Sequence, residues 1–368
     1  MHRHSDIVIV GGGIIGLLSA RELHQAGLSV TVIDKGLIGQ ESSWAGGGIL
    51  LPLYPWRQDE AISTLVLHSL GLYPSLSHQL TADSGINPQW NPCGLLITRN
   101  PDIDDALNWC NRYRIAYEFA ENRLSGLHTE AINPLFLPGI AQIRNPRLIR
   151  SLKQDLSNKG VNLVENCQLA AVHCMKHRLQ SIDTSQGRFH FHHLIISAGA
   201  WTSGLLAEFF SDNIAQQPQI VPVKGQMLLF AAEPDTLSTI VLDGGNYLIP
   251  RLDGHILAGS TVEGNTFDKS PTAAAREQIS EFALSLFPAL NNYPLIKQWA
   301  GIRPGSPSGI PYIDRHPDID NLFINAGHFR NGLAMAPASA QLMADLILNR
   351  PPCVNPEPYS LIRVRQSN

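Results

Sequence analysis

An α/β fold, in which a parallel sheet is interrupted by an inserted antiparallel unit, is predicted by three features of this 368-residue sequence. Apolar runs without alternation end in glycine three times, at 7–11, 193–199 and 321–327, and such runs read as strands buried on both faces of a parallel sheet. The first run passes through Gly11-Gly12-Gly13-Ile14-Ile15-Gly16 into helical spacing over 16–26, and then into a second strand ending at Asp34. That succession is a β-α-β unit. Between the second and third runs, short apolar stretches are joined by turn residues, the pattern of antiparallel strands. Together these specify a Rossmann-like unit carrying an inserted antiparallel α+β unit.

The glycines of the first turn have separate tasks. Gly11 allows the tight turn, Gly13 lets the backbone approach a pyrophosphate, and Gly16 lets the helix pack on the strand, with the phosphate charge facing the helix N-terminus. Ile14 and Ile15 open that helix and join the expected cofactor contacts. Asp34, with Lys35 beside it, ends the second strand, where a carboxylate accepts from a ribose diol and repels a 2′-phosphate. The adenosine end of FAD or NAD fits, and NADP does not.

Residues 39–56 follow, in which Ser42 and Ser43 precede Gly46-Gly47-Gly48-Ile49. Hydroxyls and bare amides there suit a bound group, because glycine serves where a backbone must come close to something. The aromatic and proline run behind them favours a packed conformation, with Trp44, Trp56 and Trp299 as packing residues. Residues 86–145 are rich in Pro and Asn and give no clear element boundaries. Strands are expected at 226–230, 247–250 and 255–259, with Arg251-Leu252-Asp253-Gly254 as a turn. The third apolar run leads through His328-Phe329-Arg330-Asn331-Gly332-Leu333 into a helix over about 334–348, again a polar site at a helix start. We therefore expect a discontinuous cofactor domain of 1–85, 145–218 and 300–368, and a substrate domain of 86–144 and 219–299.

Composition excludes other classes. Lys and Arg total 27 against 31 acidic residues, a formal charge of −4, so no positive field attracts nucleic acid or anionic lipid. Five cysteines, odd in number and without a Cys-x-x-Cys pair, argue against a disulfide framework and against a zinc site. We read them as reduced, mostly buried thiols, and expect no metal. A strand begins by about residue 6, which leaves no room for a leader, and no run reaches the ~18 apolar residues of a membrane span. Cytoplasmic residence is expected, and homo-oligomerisation is left open.

Flavin is separated from nicotinamide by what the chain lacks. No second Gly-x-Gly-x-x-Gly is present for NAD(P)H, and no cluster of a general base or zinc ligands stands ready for a nicotinamide reaction. FAD is therefore preferred, reduced by the organic substrate itself.

Several motifs then act together: the N-terminal fingerprint, Ser42-Ser43 with the glycine loop, Val221-Pro222-Val223-Lys224-Gly225, Trp299-Ala300-Gly301-Ile302-Arg303-Pro304, Pro311-Tyr312-Ile313 and Ala326-Gly327-His328-Phe329-Arg330-Asn331-Gly332. On these the chain resembles the D-amino-acid oxidase superfamily over nearly its whole length, and within it the glycine oxidases of the thiamine pathway, the ThiO type. The resemblance implies oxidative deamination of glycine or another small amine or D-amino acid, giving an imine and, with oxygen as acceptor, hydrogen peroxide. It implies that Arg303 grips the substrate carboxylate, that Tyr247 donates to it and that Arg330 lies beside the substrate. Residues 47–49 and 328–334 would flank the isoalloxazine ring, and Leu169 would lie near the adenine. A planar guanidinium matches a carboxylate bidentately. A tyrosine with an ordinary pKa of about 10 orients rather than abstracts a proton. Gly245 and Val262 replace larger groups of the family pattern, which leaves the choice among glycine, sarcosine and small D-amino acids open. Gly305-Ser306-Pro307-Ser308-Gly309 lacks the cysteine that some relatives attach to flavin, so FAD should be noncovalent.

Two other enzyme readings stand beside this one: a D-amino-acid dehydrogenase passing electrons to a quinone, or a sarcosine-type oxidase; and a tRNA-modifying flavin domain of related fold. The second would show a basic face. A flavoprotein without catalysis is the remaining alternative.

Overall fold

The computed structural model describes residues 3–210 and 218–362. Parts of the expected cofactor domain, residues 1–2, 211–217 and 363–368, lie outside the described residues. Five parallel strands form the first sheet, in the order Leu322–Ala326, Gly187–Ile196, Arg3–Val10, Val30–Ile33 and Asn162–Val164. Tyr312–Arg315 adds an antiparallel edge. Alternate residues of Arg3–Val10 feed opposite cores: Ile7 and Ile9 pack among helices, while Val8 and Val10 pack with Ile182, Phe189 and Leu206. Both faces are buried, which is why the run shows no polar alternation.

Four helices cover the first face: Ile14–Gln25, Glu60–Ser84, Asn145–Asn158 and Gly332–Leu348. The opposite face carries the hairpin Leu169–Met175 and Arg178–Thr184, which continues into Gly187–Ile196 as a meander, and the helix Thr202–Phe209. That hairpin was not expected from the sequence, because its strands mix exposed and buried residues without a regular period.

The second sheet takes strands from two stretches of chain. Leu295–Gly305, Val221–Phe230, Ile256–Gly259, Asn246–Pro250 and Ile240–Asp243 are antiparallel neighbours in that order. Ile240–Asp243 then pairs in parallel with Leu95–Ile97, which leads on to Leu135–Leu137 and Glu118–Phe119. One face, with Met227, Tyr247, Ile249 and Leu257, joins the core beneath the helices; the other, with Leu228, Leu248 and Ile256, packs on the helix Ala273–Leu286. The boundary expected at 300 falls inside Leu295–Gly305, which pairs with Val221–Phe230 along its length. Apolar runs and turns mark strand ends, and neither reports how far a strand continues once its residues become Gly, Pro and Arg.

One ion pair ties the fingerprint helix to its neighbour. Arg21 donates Nε to Asp155 Oδ2 at 3.1 Å, with both side chains buried, and Nη2 to Gln79 Oε1 at 2.8 Å. Removing one partner of a buried pair leaves an uncompensated charge. Asp155→Ala is accordingly expected to cost about 3–5 kcal/mol, read as a lower urea midpoint. A midpoint equal to the parent's would show that Gln79 alone satisfies Arg21.

Candidate active site

A cavity of about 780 Å³ lies where the C-terminal ends of the parallel strands face the second sheet. This is where open α/β sheets bind ligands. Every expected site residue lines it except Gly16 and, of the stretch 328–334, Ala334. A Cβ at Gly16 would lie 2.0 Å from the Gly11 carbonyl oxygen, so Gly16 serves helix–strand contact and does not touch the cavity.

At the fingerprint end, the Ile14 amide donates to Ser43 Oγ at 2.8 Å, which leaves other amides of the first helical turn without intrahelical partners. Asp34 receives the Gly12 amide on Oδ2 at 2.8 Å and the Gly36 amide on Oδ1 at 2.9 Å. Each oxygen keeps a further lone pair for a hydroxyl. The Lys35 ammonium stands 4.0 Å over the Trp201 ring, and Phe267 from the other sheet's side lies 5.4 Å from that ring. Burial lowers the pKa of Lys35. Leu169 lies among the lining residues of the same cavity.

The loop between the sheets is held by its carbonyls. Asn145 Nδ2 donates to the Ser43 carbonyl and Trp299 Nε1 to the Ala45 carbonyl, both at 2.9 Å, and Ser42 Oγ donates to the Ile302 carbonyl. Trp44 and Trp299 meet edge to face, 5.8 Å apart. Among the described residues the amides of Gly47, Gly48 and Ile49 donate to nothing.

Across the cavity, Arg303 is half-buried on the strand Leu295–Gly305. Its Nη1 donates to the carbonyls of Lys224 at 3.2 Å and Thr261 at 3.1 Å, and its Nη2 to Ser260 Oγ at 2.9 Å. Burial lowers its pKa, with Tyr247 opposing that shift and the Arg330 charge adding to it. All its hydrogen-bond acceptors are neutral, and among the described residues no carboxylate pairs with Arg303 or Arg330. A cation so placed favours an anionic ligand. Tyr247 and Met227 flank Gly259 on adjoining strands and face Gly47. His328 is buried 3.0 Å from Ser339 Oγ, and burial pushes its pKa down to about 3, so it is neutral at ordinary pH. Arg330 is exposed at the rim. Gly245 and Val262 do not line the cavity.

A model of the FAD dependent oxidoreductase family matches residues 6–346. The chain belongs to that family. This FAD-dependent oxidoreductase is 41% identical over 360 residues to a glycine oxidase of Pseudomonas aeruginosa, covering 96% of this chain and 98% of that one. It is 30% identical over 361 residues to a bifunctional ThiO/ThiG protein of Synechocystis, covering 95% of this chain and 52% of that protein. Among solved structures, glycine oxidase from Geobacillus kaustophilus superposes with a TM-score of 0.90 at 27% identity, covering 98% of this chain and 99% of that one.

The oxidoreductase's residues fit FAD. The free amides and Asp34 offer it donors and acceptors, and three residues along the cavity, Asn145, Ser197 and Asn325, each carry a buried side-chain oxygen without a partner. Sequence reasoning missed these three. Ser197 and Asn325 lie at the ends of parallel strands beside Gly11 and Gly327, which was a usable signal; Asn145 opens a helix and carried none.

Two predictions follow from this geometry. A Cβ at Gly225 would stand 2.2 Å from the Arg303 guanidinium nitrogens, so Gly225→Ala should weaken binding of a carboxylate probe such as glycolate about tenfold or more with flavin content unchanged. Equal binding would mean the guanidinium is free to move. His328 takes a proton near pH 6.5 when unfolded and near 3 when folded. As pH falls from about 6.5, the unfolded state binds the extra proton and stability drops by up to about 1.4 kcal/mol per pH unit. Urea titrations of His328→Gln should show a shallower acid slope, and an unaltered slope would rule this histidine out as its source.

Proposed function

We propose that the enzyme oxidises glycine or another small amine or D-amino acid at Cα, giving an imine that water hydrolyses to a 2-oxo acid and ammonia. The carrying observation is Arg303, a half-buried cation with only neutral hydrogen-bond partners, facing the cavity that the fingerprint also lines. The glycine oxidase named from Pseudomonas supports the choice of glycine. The ThiO/ThiG relative supports the thiamine-pathway destination that the resemblance implies.

FAD, when bound, would supply the electron-pair acceptor for the Cα hydrogen. Arg303 binds the substrate carboxylate bidentately, Tyr247 donates to it, and together they fix the direction of the Cα–H bond. Arg330 lies at the rim beside the substrate. Residues 47–49 and 328–334 would hold the isoalloxazine end of FAD, and Leu169 its adenine end. The amine must be neutral to lose hydride. His328 is not placed to take its proton in this reading, because its Nε2 is engaged with Ser339. The carboxylates lining the cavity are Asp34, Glu41 and Glu208, of which Asp34 holds the Gly12 and Gly36 amides and Glu41 pairs with Lys269. Two guanidinium charges near the amine disfavour its protonated form, so it binds neutral and gives its proton to solvent. With molecular oxygen as acceptor the product of reoxidation would be hydrogen peroxide, and FAD would be held noncovalently. No described helix is long and apolar enough to cross a membrane, and all five cysteines are free, which supports a cytoplasmic setting.

Bleaching of the flavin under anaerobic glycine, sarcosine or D-alanine tests the reaction, and an unreactive flavin would overturn it. Peroxide measured against dye reduction then identifies the acceptor. Arg303→Ala should lose roughly 2–5 kcal/mol of substrate binding, read from kcat/KM; an unchanged kcat/KM would remove Arg303 from the site.

A further inference from the structure

Arg251 sits in a hairpin turn, where its amide donates to the His255 carbonyl at 2.7 Å and its carbonyl accepts from Gly254 at 2.9 Å. A turn arginine ordinarily points to solvent, as its neighbour Leu252 does with 56% exposure. The Arg251 side chain instead folds inward and is 7% exposed. Its Nη1 donates to Gln142 Oε1 and to the Ile143 carbonyl at 3.3 Å, and its Nη2 to the Gly47 carbonyl at 2.8 Å. Gln142 Nε2 returns a bond to the Pro250 carbonyl. None of these acceptors is charged, and the nearby Asp253 is paired with Arg144 and His255. Burying a cation without a counter-charge is costly, and the hairpin would close without it.

The peptide between Gly47 and Gly48 gives that cost a purpose. In a planar trans peptide the C=O and the next N–H point in opposite directions. With the Gly47 carbonyl turned to Arg251 and the Gly48 carbonyl receiving the Ile143 amide at 2.9 Å, the amides of Gly48 and Ile49 are turned the other way, and they donate to nothing among the described residues. A cation at the carbonyl end also polarises the peptide and strengthens its N–H as a donor.

We propose that Arg251 is a positioning residue that fixes the Gly47–Ile49 loop and, through the Gly48 amide, raises the reduction potential of the flavin. This rests on the reading that the loop flanks the ring. Charge and hydrogen bonds at the ring are what a protein uses to tune a flavin, and a cation behind the loop favours the more negatively charged reduced form.

The test compares Arg251→Met and Arg251→Lys holoenzymes with the parent by potentiometric titration and by the rate of FAD release. In Arg251→Met the two-electron reduction equilibrium is expected to fall about tenfold, about 30 mV more negative, with faster FAD release. Arg251→Lys retains the charge and should recover most of the potential. If Arg251→Met does not fold, Arg251→Gln keeps a donor without the charge and carries the same expectation. Equal potentials in all variants, or equal shifts in the Lys and Met variants, would reduce Arg251 to packing. Ile49→Trp separates that failure from failure of the underlying reading. Quenched flavin fluorescence places the loop at the ring, whereas unquenched fluorescence removes it and the proposal together.

Discussion

Where Gly301 faces Ala45, only the Ala45 methyl lies between the two backbones. A Cβ at Gly301 would stand 2.5 Å from the Ala45 Cβ, closer than any carbon pair tolerates. The second sheet therefore seats directly against the loop that follows the fingerprint. Trp299 and Ile302 on the same strand bond that loop at Ala45 and Ser42, and Arg303 follows one residue later. The position of the guanidinium relative to the strand ends thus depends on this contact. Met227, Tyr247 and Ile249 on the inner face close around Gly47 in the same way.

The two sheets are stabilised differently, and this decides how each could be read. Arg3–Val10 buries both faces, so its apolar run is continuous, and the glycines behind it stand out against that background. The inner strands of the antiparallel sheet are likewise apolar, and their turns mark them. Leu295–Gly305 has Lys297, Gln298, Gly301, Arg303 and Pro304 along its length. Its pairing is fixed by a partner strand more than sixty residues away, which no local pattern reports.

Most of the site was legible because ligand chemistry imposes residue types locally: a tight turn needs Gly11, a ribose diol suits Asp34, and a planar anion suits Arg303. Residues that serve through tertiary placement were not. Asn145 looks like any helix start, and only the fold returns it to the cavity. Arg251 reads as a turn residue, and only the fold shows its side chain directed inward. Gly16, named with the ligand contacts because it belongs to their motif, has the packing task that motif gives it, since its own neighbour is the Gly11 carbonyl.

The stack of Lys35, Trp201 and Phe267 draws on three separate parts of the sequence, one after each of two parallel strands and one from the loop beyond the antiparallel sheet. Its components come together only once both sheets have assembled. A molecule that binds only the assembled chain stabilises it in proportion to the logarithm of its free concentration. FAD bound by the assembled chain would thereby raise its stability as well as its activity.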